Sequence, residues 1–386
     1  MVKKKVLMVC TTASMIGNFN LPNIELLKNL NYQVEVACNF KNGSNWTNED
    51  SEKLKDHLKS QGVKCYQIDF ARSPFNLSDN TNAYKELKRI IKDGKYSFVH
   101  CQTPVGAVIT RLITSKLNVP VIYTAHGFHF FKGAPLKNWV FYYPVEKLLS
   151  KYTDILITIN DEDFKLAKKK MKANKTYEIP GAGVITERFH SNDIYREQIR
   201  KQLNISDDEI MVFSVGELNN NKNQQVIIKA LNLIGNKKII YVVAGVGANK
   251  NMLISLAHKY GLSKQVKLIG YKDDIEKYYS AADIFAFPSK REGLSFAGVE
   301  AMSAGLPIVG SNVRGVKDYV YDGKSGFLLK PTDDKGFAKR IKQLANSSEL
   351  REEMGEFNIK TAEKYDIVNV KKIMNKIYLS IEKHPE

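Results

Sequence analysis

Two kinds of hydrophobic pattern alternate along the chain. Short apolar runs such as KKVLMVC, YQVEVAC, KCYQIDF, FVHCQ, VPVIYTA, DILITIN and TYEIPG have the length and β-branched content of buried strands. Between several of them, apolar residues recur every three or four positions, as in NLPNIELLKNL and NTNAYKELKRIIKDG, which is the period of an amphipathic helix. A second round reads EIMVFSVGEL, KNQQVIIKALNLI, IIYVVAG, KNMLISLAHKYGL, QVKLIGY, DDIEKYYSAAD and IFAFPS. A helix opening near Ser295, then LPIVGS and VKDYVYDG, complete it. Such alternation predicts parallel sheets joined by right-handed crossovers, in two Rossmann-like α/β domains. Pro180, Gly181 and Gly183 break the periodicity in YEIPGAGVITERFH and mark a linker. The predicted domains are residues 1–183 and 184–365, and a last helix, 366–386, could pack on either. Parallel sheets bind ligands at the carboxyl ends of their strands, and two facing sheets would form a cleft.

The length of 386 residues suits two domains, and 43% hydrophobic with 26% charged residues suits a globular chain. The opening MVKKKVLMVC imitates a signal peptide. Its apolar run is too short and no small-residue cleavage site follows, so it reads as a buried first strand. No run approaches 18 apolar residues, which predicts no membrane span. Cys10, Cys38, Cys65 and Cys101 lack metal-ligand spacing and read as reduced core thiols of a cytoplasmic protein.

The net charge of +17 is weighted to the first half. Such an excess suits nucleic acid, an anionic membrane or an anionic substrate. No nucleic-acid module accompanies it, so nucleic acid is set aside. A lysine preference set by genome composition would account for some of the excess.

The chemistry concentrates in KREGLSFAGVEAMSAGLPIV, residues 290–309, where Glu292 and Glu300 stand on a background of small and apolar residues. Across a helix the eight positions would rise about 12 Å. That exceeds the roughly 5–9.5 Å between the carboxyls of a glycoside hydrolase and argues against a hydrolytic pair. Free amides at the helix start, around Gly293 to Phe296, would instead bind an anion such as a diphosphate. A carboxylate on either side would then accept sugar hydroxyls. The plain alternative makes Glu292 a surface charge and Glu300 half of a helix salt bridge. His126 and His129 have the spacing of a metal pair, but no further ligand is in view. Asp161-Glu162-Asp163 opens a lysine-rich helix, where acids favour the N-terminus. AGVGANK lacks the third glycine and the downstream acid of a dinucleotide site and reads as a tight turn.

EGLSFAGVEAMSAGLPIV resembles the nucleotide-sugar signature of glycosyltransferase family 4, retaining enzymes of the GT-B fold. SVGELNNNKNQQVIIKAL resembles the segment opening that family's C-terminal domain, VVAGVG its glycine turn, and LIGYKDDIEKYYSAADIFAFPS the approach to the signature. VIYTAHGFHFFKGAPLKNWVFYYPVEKLLSKYTDILITIN is similar to members that build bacterial capsule and exopolysaccharide. The resemblance spans nearly the whole length.

It implies an acceptor-binding first domain and a donor-binding second domain that move a sugar from a nucleotide diphosphate, UDP-linked, to a growing glycan. Glu292 would contact the donor sugar, with amides of Gly293, Leu294, Ser295 and Phe296 near the sugar and diphosphate. Glu300 would hold the ribose, and Lys222 would neutralise the departing diphosphate. Many members carry an arginine where this chain has Glu217, which would instead meet the sugar or orient Lys222. His126 would lie near the donor sugar. TTASMIGNFNLP reads as a loop after the first strand, where Gly17 would permit close approach of backbone to ligand. The resemblance implies retention with neither nucleophile nor metal cofactor, since the diphosphate helps deprotonate the acceptor. Rival readings are a nucleotide-sugar epimerase or phosphorylase on this fold, or a non-catalytic partner subunit. Residues 137–175 hold nine lysines and five acids beside Trp139, Phe141, Tyr142 and Tyr143. That composition suits an anionic membrane surface at the inner face of the cell membrane, with a polyprenyl-diphosphate-linked acceptor.

Overall fold

The computed structural model describes residues 4–41 and 46–381. The inner apolar runs became strands buried on both faces, as the interior of a parallel sheet requires, while the edge strands are only half-buried. In β1 (Lys5–Thr12) every residue after the first is buried. It pairs in parallel with β2 (Gln33–Asn39) and β4 (Phe98–Gln102). With β3 (Lys64–Gln67), β5 (Val121–Ala125), β6 (Ile155–Thr158) and β7 (Lys175–Glu178) they form a seven-stranded sheet of order β3-β2-β1-β4-β5-β6-β7. The second sheet is β10-β9-β8-β11-β12-β13. Its strands are β8 (Ile210–Val215), β9 (Ile239–Ala244), β10 (Val266–Gly270), β11 (Ile284–Phe287), β12 (Ile308–Ser311) and β13 (Gly326–Leu329). The order reverses between β1 and β4 and again between β8 and β11, and such switch points open a crevice at the carboxyl ends.

The chain divides into two units, residues 1–182 with 370–386, and residues 183–369. Five helices matter below: α1 (Ala13–Phe19), α2 (Leu136–Leu149), α3 (Ile275–Ala281), α4 (Phe296–Ser303) and α5 (Ile367–Ile381). From residue 370 onward α5 belongs to the first unit. There the Tyr378 hydroxyl lies 3.0 Å from Nδ1 of His100, whose Nε2 is 2.8 Å from the Thr124 hydroxyl. Burial drives the His100 pKa down to about 3, so this imidazole is neutral.

Three segments depart from the sequence reading. TTASMIGNFNLP is not a loop but the end of β1 followed by α1 and the helix Leu21–Asn29. VKDYVYDG is a run of turns, and the sixth strand of the second sheet is GFLL, only four residues long. The helix Pro104–Leu117 was not named, because PVGAVITRLITSKL is apolar and β-branched enough to hide its helical period.

Candidate active site

Two loops of the second unit leave the β8/β11 switch point. The loop after β8 carries ELNNNKN, and its asparagines explain its shape. The side-chain carbonyl of Asn219 accepts the amides of Asn221 and Lys222, both at 2.9 Å. Asn223 is left-handed (φ 57°), and its amide donates to the carbonyls of Pro288 (3.0 Å) and Pro331 (2.8 Å). Asn221 donates to the Arg291 carbonyl at 3.0 Å and accepts the Lys290 amide at 2.8 Å. The loop after β11 is thereby stapled to the loop after β8.

The staple brings two predicted residues together: the Lys222 ammonium donates to Oε1 of Glu292 at 2.7 Å. Both side chains are mostly buried, and the ammonium sits 5.1 Å from the centre of the Phe287 ring. Neither is a free surface charge. Glu217 lies exposed just past β8, so Lys222 is oriented by Asn219 and Glu292 rather than by Glu217.

Ser295 is the N-cap of α4, yet its own side chain makes no capping hydrogen bond and no acid lies in the first turn. Leu294 and Phe296 turn their side chains onto the core. The segment Gly293–Phe296 thus brings its backbone to a helix terminus of positive potential, which favours an anion. Gly315 closes one wall: with φ of +83°, a Cβ there would stand 1.3 Å from the Gly293 carbonyl oxygen. At Gly298 a Cβ would lie 2.0 Å from the Tyr319 hydroxyl, so the fully buried tyrosine occupies the space a side chain would take.

Glu300 stands one turn further along α4. Its Oε2 accepts the Tyr279 hydroxyl at 2.9 Å, from the end of α3. Burial pushes its pKa up to about 7, and the Tyr279 bond and nearby Arg188 only partly offset that. Arg188 itself is paired with Glu276 at 2.8 Å. The two glutamates therefore serve separate surroundings, one beside a cation and one beside a phenol, as their spacing predicted.

The first unit holds its own polar cluster at the β1/β4 switch point. The side-chain amides of Asn20 and Gln102 bond reciprocally. His126, following β5, donates from Nε2 to Oε1 of Gln102 at 2.6 Å, which leaves Nδ1 as the acceptor. Burial lowers its pKa to about 4, so it is a neutral imidazole. Gly17 lies within α1, and a Cβ there would meet the Trp46 indole at 2.0 Å. What approaches closely at Gly17 in this structure is a ring of the chain itself.

The other motifs resolve into local structure. Asn160, not an acid, caps the helix Asp161–Lys170. Asp163 accepts the Phe128 amide at 2.9 Å and so fixes the loop carrying His126 and His129. His129 is exposed and stacks on Tyr142, with ring centres 4.5 Å apart. AGVGANK turns at residues 248–249 into the next helix, and a Cβ on Gly245 (φ +145°) would strike the Gly216 carbonyl at 2.0 Å, so glycine lets the ends of β8 and β9 approach there.

Tyr279, Tyr319, Asn219, Asn20 and Gln102 escaped the sequence reading. The asparagine run beside Lys222 was a usable signal, since such residues favour side-chain-to-backbone turns. The tyrosines looked like ordinary core residues.

The description "Glycosyl transferases group 1" matches residues 195–361, and "Glycosyl transferase 4-like" matches residues 5–160. EpsD of Bacillus subtilis (strain 168), a glycosyltransferase by name, is 37% identical over 382 residues, spanning 97% of this chain and 96% of its own. The UDP-Gal:alpha-D-GlcNAc-diphosphoundecaprenol alpha-1,3-galactosyltransferase of Escherichia coli is 26% identical over 346 residues, 87% of this chain and 86% of its own. Among solved structures, Anabaena HepE in complex with UDP superposes with a TM-score of 0.80 at 18% identity, covering 97% of this chain and all of its own.

Proposed function

The chain belongs to the group 1 glycosyl transferases, and from that premise we propose that it moves a hexose or N-acetylhexosamine from a UDP-linked donor to a lipid-linked glycan, with retention, during assembly of a cell-surface polysaccharide. The observation that carries this reading is the Lys222–Glu292 ion pair at a switch point, beside the start of α4, which has no acid in its first turn, with Glu300 buried on the same helix. An anion at that helix start would draw Lys222 away from Glu292 and free the carboxylate to accept sugar hydroxyls. The Gly293–Phe296 backbone would meet the diphosphate, and Glu300 the ribose hydroxyls. His126 belongs to the first unit, where we assign it to sugar hydroxyls at the carboxyl end of β5; Gly17 serves the packing of α1 on Trp46. Glu217, exposed on the loop that carries Lys222, is assigned to the sugar as well.

In the reaction the bond from the anomeric carbon to the diphosphate oxygen breaks, and the bond to the acceptor oxygen forms on the same face. The acceptor's proton passes to the departing diphosphate, whose growing charge Lys222 neutralises. No protein nucleophile enters these steps, and the charge that a metal would otherwise carry is met by Lys222 and the helix terminus. The UDP-galactose and polyprenyl-diphosphate acceptor in the name of the Escherichia coli relative, and the UDP bound to HepE, support the choice of donor and acceptor classes.

The test screens UDP-, GDP- and dTDP-sugars for nucleotide release with and without a polyprenyl-diphosphate-linked sugar, and reads the product's anomeric configuration by NMR. Acceptor-dependent UDP release, an unchanged configuration and loss of both in Glu292→Gln are expected. Release with a GDP-sugar alone, or an inverted product, would overturn the reading.

A further inference from the structure

The sequence suggested a lipid-facing surface among residues 137–175, and of the four aromatics it rested on Phe141 alone faces outward. Trp139, Tyr142 and Tyr143 pack against the core of the first unit. Beside Phe141, α2 turns outward Leu136, Val140, Val145 and Leu148, continued by Tyr152. Leu136 is 78% exposed and Phe141 59%. At 100° per residue these side chains cover the outer half of the helix. Phe75 and Leu77, each 74% exposed, extend the patch, and the Phe75 ring stands edge-on to Phe141 with centres 6.5 Å apart. Isolated exposed apolar residues need no explanation, but a run of this length on one helix does.

The charges on the helix are sorted as well. Its sole acid, Glu146, points inward, 2.9 Å from the fully buried guanidinium of Arg111. Lys137 and Lys147, with Lys151 just beyond the helix, are exposed. The outer face therefore presents apolar and cationic side chains and no carboxylate. That combination suits an interface with acyl chains beneath and anionic headgroups around. A protein partner or a second copy would need carboxylates opposite those lysines, while a bilayer supplies phosphates at any register.

We propose that the outer face of α2, with Phe75 and Leu77 beside it, docks on a bilayer surface rich in anionic lipid. The topology gives docking a purpose, which rests on the lipid-linked acceptor proposed above. The connection 126–135 leaves the carboxyl end of β5 and enters α2, and the connection 68–76 leaves β3 at the same end of this parallel sheet. The first turns of α2 and Phe75 thus stand at the sheet end that carries His126 and Asn20. A sugar on a membrane-borne carrier would be delivered to that end without leaving its leaflet. No helix among the described residues is long and apolar enough to cross a membrane, so the contact is with the surface.

Sedimentation of the full chain with phosphatidylcholine vesicles, with and without phosphatidylglycerol, reads the proposal. The wild type should bind the anionic vesicles preferentially. Replacing Lys137, Lys147 and Lys151 by glutamine should weaken that binding about fivefold for each lysine removed. Phe141→Ser with Leu148→Ser should lower binding to both vesicle types at least about tenfold. These side chains are exposed, and an unchanged melting temperature shows that the fold is kept. Unaltered vesicle binding in both variants would overturn the proposal. So would a wild-type dimer, seen by analytical ultracentrifugation, that the double serine variant converts to monomer without altering vesicle binding. Transfer to a water-soluble acceptor analogue separates the two readings. If every form lacks transfer but only the wild type binds vesicles, the function reading fails and the docking surface stands.

Discussion

Replacing Glu300 by glutamine should stabilise the ligand-free protein and weaken its grip on the donor. Burial raises this carboxyl from 4.5 to about 7, so above pH 7 the folded protein holds a charge that costs more there than in the unfolded chain. The shift corresponds to about 3 kcal/mol. With the folded pKa above the unfolded one, the favourable contribution is complete below about pH 4.5 and lost as pH rises through 7. At about pH 8 the glutamine variant, which can still accept the Tyr279 hydroxyl, should melt several degrees above the wild type. Binding runs the other way. If ribose hydroxyls donate to the carboxylate, donor affinity rises with pH, and one unit below the pKa only about a tenth of the protein is competent. The assay is calorimetry with an intact UDP-sugar, whose diphosphate diester does not titrate in this range. Wild-type affinity should increase about tenfold from pH 6 to 8, and the variant should be weak and flat. Equal melting temperatures at high pH, or a flat wild-type profile, would refute the reasoning.

Two further outcomes are expected. Lys222→Met should lower kcat by about 10²–10³-fold, with little change in the donor KM, in a steady-state UDP-release assay; a pure KM effect would remove it from the transition state. Gly298→Ala places a methyl against the Tyr319 hydroxyl and should destabilise the protein by about 1–3 kcal/mol in urea. A second change, Tyr319→Ala, should cost less in that background than alone.

Much of the fold was legible because its inner strands are buried on both faces, and uninterrupted apolar runs between helical periods betray parallel sheets. The four-residue GFLL was too short to stand out, and Pro104–Leu117 carried too many β-branched residues to look helical. At the site, Glu292, Glu300 and Lys222 were legible as charges in an apolar or asparagine-rich setting. Their partners were not. That Lys222 meets Glu292, or that Tyr279 caps Glu300, depends on contacts across 70 and 21 positions, which no local pattern encodes. On α2 four aromatics stood out in the sequence, but that Phe141 faces outward while Trp139, Tyr142 and Tyr143 face the core depended on the packed helix.

The passage of α5 back into the first unit bears on the order in which the protein takes shape as it is synthesised. Residues 183–369 are one unbroken stretch, whereas the first unit needs residues from 370 onward. The half that leaves the ribosome first is therefore completed last. Until Tyr378 arrives, His100 and Phe98 lack the cover it provides, so nascent chains halted before residue 370 should leave that face open to chaperones.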